Sequence, residues 1–185
     1  MKNIRMWLVV TLLLLVASAC SAESECVTND WSSDIPLVQC EALLSLYDTT
    51  AGDQWTNRAG WRGSHRLPCT WYGVTCARGH VTELLLEDNQ LTGSIPPELG
   101  NLSQLTLLWF HENQLTGSIP AELGNLSQLT ELALSDNELT GSIPAELGNL
   151  SQLTTLWLRD NQLTGSIPPE LEEICYDIGP VVCEL

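Results

Sequence analysis

Few residues in this chain are of the types that do chemistry, and their spacing limits what that chemistry is. The three histidines, His65, His80 and His111, lie far apart, and no nucleophile motif accompanies any of them. Catalysis needs a nucleophile, an oriented base and a concave pocket, so the reading is non-enzymatic and without a cofactor. The seven cysteines lack the CxxC pairs of a zinc site. Asp88, Glu112, Asp136 and Asp160 recur at a fixed interval of 24 residues. Stacked carboxylates suggest Ca²⁺, but solvated charges repel only weakly and need no ion, so the expectation is no metal. Two tryptophans, Trp109 and Trp157, stand two such intervals apart.

The other chemistry lies in the first residues. Lys2 and Arg5 form a basic n-region, Met6 to Val16 an apolar h-region and Ala17-Ser18-Ala19 a small-residue cleavage site, so residues 1–19 read as an export signal. The apolar run is short for a membrane span. The next residue is Cys20, and ASAC followed by Ser21 resembles the lipobox of bacterial lipoproteins, in which that cysteine is lipidated. Setting Cys20 aside leaves six cysteines, which can all pair in an oxidising compartment. Ordinary cleavage after Ala19 or Ala22 is the alternative. The expected location is exported, either secreted or anchored in the cell envelope, with a lipid on Cys20 as the sole membrane contact.

The whole chain carries a formal charge of −16, with 23 acidic and seven basic residues. Loss of Lys2 and Arg5 with the signal leaves five basic residues against 23 acidic, or −18. From Val81 onward Arg159 is the only Lys or Arg. A phosphate backbone would be repelled rather than release counterions, which excludes nucleic acid as a partner.

These residues belong to a repeat. VTELLLEDNQLTGSIPPELGNLSQ from Val81 is followed by close copies from Leu105, Leu129 and Leu153. Period-2 alternation places Leu84 and Leu86, Leu108 and Phe110, Leu132 and Leu134, and Leu156 and Leu158 on the inward face of short strands. Asn89, Asn113, Asn137 and Asn161 come next, and an amide can serve backbone groups left unpaired at a turn. Gly93 and its equivalents permit an unusual backbone path, and Ile-Pro confines the chain to an extended or turn conformation. Leu99 and Leu102 close the core from behind.

The pattern LxxLxLxxNxLTGSIPxxLGNLxx resembles the plant-type leucine-rich repeat of receptor-kinase ectodomains and polygalacturonase-inhibiting proteins. The resemblance implies an α/β repeat, a right-handed leucine-rich-repeat solenoid with short parallel strands on the concave face and disulfide-bonded caps. It also implies that the four asparagines form a ladder. The expected layout is an N-terminal segment and cap over residues 20–80, four repeats over 81–170 and a C-terminal cap over 171–185. CEALLSLYDTT from Cys40 has helical spacing, and DQWTNRAGW leading into CTWYGVTC resembles the plant-type N-terminal cap, in which Cys69 and Cys76 pair. Elimination and proximity then give Cys26–Cys40 and Cys175–Cys183.

With the leucines inward, the alternating positions face out of the concave sheet, and there the repeats differ. One column reads Glu83, Leu107, Glu131, Thr155, the next Leu85, Trp109, Ala133, Trp157, and the next Glu87, His111, Ser135, Arg159. Leu85, Trp109, Trp157, Leu107, His111, Arg159, Glu83 and Glu131 are the candidate binding residues. Two readings of the tryptophans stay open: a platform for a partner, or cross-strand filler against Leu85, Leu107 and Ala133. The functional expectation is a monomeric, non-catalytic extracytoplasmic protein that holds a protein ligand. The alternative is a glycan binder or an inhibitor of a polysaccharide-degrading enzyme.

Overall fold

The computed structural model describes residue 26, residues 34–63 and residues 67–174. The proposed signal segment, Cys20, His65 and the Cys175–Cys183 pairing lie outside these residues.

The cap begins with helix α1, Leu37–Thr49, whose Ala42, Leu43, Leu46 and Tyr47 are buried at helical spacing. It stops where Thr50 turns both its N–H and its hydroxyl back onto the Leu46 carbonyl, at 3.0 and 2.6 Å. The cap core behind it is aromatic. Tyr47 stacks on Trp61 at 5.9 Å, Trp55 meets Trp61 edge-on at 4.9 Å, and Trp71 closes on Trp61 at 4.8 Å. The Trp55 and Trp61 indole N–H groups donate to the Thr50 and Tyr72 carbonyls, so neither is buried unpaired. Disulfides Cys26–Cys40 and Cys69–Cys76 tie the cap together.

The cap joins the array through its own strand. β1, Val74–Ala77, runs antiparallel to β2, His80–Leu85, and β2 is followed in parallel by β4, Leu107–Trp109, β6, Glu131–Ala133, and β8, Thr155–Trp157. This five-stranded sheet is the concave face. Buried Gln39 on α1 accepts from the Val81 N–H at 3.0 Å, locking the helix to β2.

A second sheet forms from the TGS segments. β3, Thr92–Ser94, β5, Gln114–Gly117, β7, Glu138–Ser142, and β9, Gln162–Thr164, stack in parallel. Each Gly here has positive φ, +82° at Gly93 and +76° at Gly117, a conformation that costs a side chain about 1–2 kcal/mol. Proline then holds the chain extended into short 3₁₀ helices, Pro97–Asn101, Ala121–Asn125, Ala145–Asn149 and Pro169–Ile174, on the convex side. In this segment Gly124 packs so tightly on the next repeat that a Cβ would overlap the Glu146 carbonyl.

Between the two sheets and the 3₁₀ row runs one continuous apolar core. Leu84, Leu86, Leu108, Phe110, Leu132 and Leu134 are fully buried, as are Leu99, Leu102, Leu123 and Leu126 behind them. Since no repeat buries its leucines alone, the array depends on neighbours and caps.

Candidate functional site

Two hydrogen-bond ladders fix the concave surface. Asn137 lies inside the turn, its Oδ1 accepting from the Leu115 N–H at 2.9 Å and its Nδ2 facing the Phe110, Leu134 and Ser135 carbonyls at 2.9, 3.2 and 3.1 Å. Asn113 and Asn161 do the same one repeat away, accepting from Leu91 and Leu139. Asn89 reaches instead into the cap, where it bonds the backbone of Asn57 in both directions. At the other end of each strand a threonine hydroxyl bonds the preceding repeat: Thr106 to the Thr82 carbonyl, Thr130 to that of Thr106, Thr154 to that of Thr130. The LT dipeptide signals this second ladder, although periodicity alone does not.

The carboxylate column has a backbone origin. Asp88, Glu112, Asp136 and Asp160 all take left-handed φ, between +45° and +56°. Asp tolerates this region better than most residues because its short side chain bonds locally. No cluster of three or more metal-ligating side chains occurs among the described residues.

Strand register places the candidate binding residues in the columns that the sequence suggests. Glu83, Leu107, Glu131 and Thr155 are successive partners, as are Leu85, Trp109, Ala133 and Trp157. The aromatic side chains do more than line up. His111 lies between the two tryptophans, its ring centroid 6.1 Å from each, at 64° to Trp109 and 84° to Trp157. Such edge-to-face pairs are worth about 0.5–1.5 kcal/mol beyond burial. The repeat between them contributes only Ala133 and Ser135, which are 1 % and 4 % exposed. Small side chains in that row make the room that His111 fills. The sequence signal for the cluster is the diagonal from His111 to Trp157, one column and two rows, which column-by-column reading misses.

Trp109 is half-buried and its indole N–H donates to Glu131 Oε2 at 3.1 Å, while Trp157 remains 37 % exposed. Arg159 pairs with Asp160 at 3.7 Å. Beside His111, Glu87 is half-buried; its Oε2 and the His111 Nδ1 are both out of contact with solvent and have no hydrogen-bond partner among the described residues. Glu83, Leu85 and Leu107 are half-buried around this cluster.

Family comparison agrees with the geometry. The leucine rich repeat N-terminal domain matches residues 38–77, and leucine rich repeats match residues 80–102, 104–126 and 127–173. The chain is a leucine-rich-repeat protein. It is 40 % identical over 99 residues to the LRR receptor-like serine/threonine-protein kinase FEI 2 of Arabidopsis thaliana, a match covering 52 % of this chain and 15 % of that one. It is 41 % identical over 46 residues to polygalacturonase inhibitor 2 of the same plant, covering 23 % and 14 % respectively. The chain thus spans a small fraction of these relatives' length. Among solved structures, the ectodomain of the receptor kinase SOBIR1 from Arabidopsis thaliana superposes with a TM-score of 0.63 at 29 % identity, over 77 % of each chain. The leucine-rich-repeat protein has an ectodomain-like fold with two disulfides at its cap, the bonding expected of an oxidising compartment. No helix among its described residues is long and apolar enough to cross a membrane.

Proposed function

We propose that this chain is a non-catalytic, exported binding protein whose concave face holds a protein partner at the Trp109–His111–Trp157 cluster. The observation that carries the reading is that the aromatic cluster stands where the repeats stop copying one another and leaves Trp157 more than one-third exposed. Tryptophans in such positions anchor interfaces, because they supply large apolar area at small entropic cost. The receptor-like relatives support a ligand-binding role. The four parallel repeat strands alone make a face about 20 Å wide, enough for a modest interface. The test replaces both tryptophans with alanine and compares crosslinked partners with those of the unaltered protein. Loss of a specific partner with a stability loss no larger than about 1–3 kcal/mol, the worth of the two ring pairs, supports the reading; an equal partner set, or a much larger fall in stability, refutes it.

A second reading comes from the similarity to polygalacturonase inhibitor 2, that the same face inhibits a polysaccharide-degrading enzyme. An inhibition assay against such enzymes, with the double variant as control, separates the two. For location, the Ala17-Ser18-Ala19-Cys20 motif supports an acyl anchor on Cys20. Intact-mass spectrometry of the mature protein tests it, since a diacylglyceryl mass on Cys20 and cleavage after Ala19 or Ala22 give different masses.

A further inference from the structure

We infer that the aromatic surface formed by Trp109, His111 and Trp157 seats a cationic side chain, the guanidinium or ammonium group of a basic segment in the partner; this rests on the concave-face reading above. The rings and the charges point to the same ligand. A cation over an indole face is attracted by the ring quadrupole, and tryptophan is the strongest of the aromatic acceptors. Trp157 is 37 % exposed, and Trp109 is held in place by its bond to Glu131.

The surroundings are acidic on every repeat that contributes. Glu83 and Glu87 on the first repeat, Glu131 on the third, and the Asp88, Glu112, Asp136 and Asp160 row all border the same face. Arg159, the only Lys or Arg of the repeats, is engaged with Asp160 at the fourth-repeat end and leaves the Glu87 end acidic.

The second, independent observation is Glu87 itself. Its Oε2 is shielded from water and meets no donor among the described residues. The half-buried carboxylate carries a desolvation cost, and a guanidinium or ammonium group bonded at its exposed side offsets it. An anionic ligand would add repulsion, and a neutral donor would bond Glu87 without the charge assistance. The charge also makes association faster at low salt, because an acidic concavity concentrates cations.

The test is calorimetric titration of the full chain with an end-blocked tetra-arginine peptide at low salt, and with the tetra-citrulline peptide of nearly the same shape but no charge. Tetra-arginine binds and tetra-citrulline does not. Trp157→Leu keeps apolar cover without an aromatic face and weakens binding about tenfold. Glu87→Gln weakens it by a similar factor, while Glu146→Gln, the same charge change on the convex 3₁₀ helix, alters it by less than about twofold. Arg159→Ala strengthens binding. Equal binding of citrulline, full affinity in Trp157→Leu, or an equal loss in Glu146→Gln overturns the inference. If the Trp109→Ala/Trp157→Ala variant loses its partner while tetra-arginine does not bind the aromatic cluster, the concave-face reading stands and this inference falls.

Discussion

Replacing Asn137 with alanine removes one rung of the ladder, and its cost can be worked bond by bond. The three carbonyls facing Nδ2 keep other donors: Phe110 keeps the Asn113 amide at 3.0 Å, Leu134 keeps the Asn161 amide at 2.8 Å, and Ser135 keeps the Glu112 N–H at 3.1 Å. On that side the net loss is about 1 kcal/mol. The Leu115 N–H fares worse, because Asn137 Oδ1 is its acceptor and Leu115 is fully buried. An orphaned buried donor costs about 1–3 kcal/mol, giving a total near 3 kcal/mol. For a domain of this size that lowers Tm by about 10 °C. Denaturant unfolding of Asn137→Ala beside the exposed control Gln114→Ala measures it, and equal stability of the two variants refutes the ladder argument. Asn137→Asp adds a sign test. A carboxylate there would face three carbonyl oxygens, which raises its folded pKa above the unfolded value. The variant's deficit is therefore largest at neutral pH and shrinks as the pH falls toward the unfolded carboxyl range, where the protonated form donates again.

The same geometry sets other expectations. Glu112 occupies a left-handed position at φ +56°, so Glu112→Asn raises stability by about 0.5 kcal/mol, measurable as a higher denaturation midpoint. Gly124→Ala lowers stability by about 1–3 kcal/mol because its Cβ would push on the backbone of the next repeat; an unchanged melting temperature would contradict the packing. Burial, aided by donation to Asp53, raises the Tyr47 pKa. Its stabilising share is therefore full below the ordinary phenol pKa and lost as pH rises through the raised value, so a two-pH melt below and above about 10 should show destabilisation that Tyr47→Phe lacks. Loss of the Cys26–Cys40 bond, which closes a loop of 14 residues, costs about 3 kcal/mol, read as the Tm difference between oxidised protein and the double serine variant.

The inward leucines, the ladder asparagines and the cap helix were all legible, because each comes from a side-chain period or from a backbone group that must be paired. The second sheet was not. Thr92-Gly93-Ser94 has neither alternation nor strong strand propensity, and it pairs because the same three residues recur beside it at every turn of the solenoid. The carboxylate column was visible as a pattern, yet its cause lies in φ, which composition does not display. The concave columns were readable from parity. What parity omits is reach across strands, and the His111 ring lodges between side chains of its own repeat and of one two rows away. Its place depends on the smallness of Ala133 and Ser135, a property of the gap rather than of the histidine.

The asparagine ladder is directional, each rung serving the repeat before it, so the junctions on either side of residues 129–152 are interchangeable. Excising that block would let Asn161 receive the Leu115 amide that Asn137 now serves, without a new interface being invented. It would also set Trp109 directly against Trp157 and close the space over which His111 lies. A single in-frame loss or gain of one unit therefore redraws the proposed binding surface while the scaffold closes as before, so copy number reshapes that face as much as substitution does.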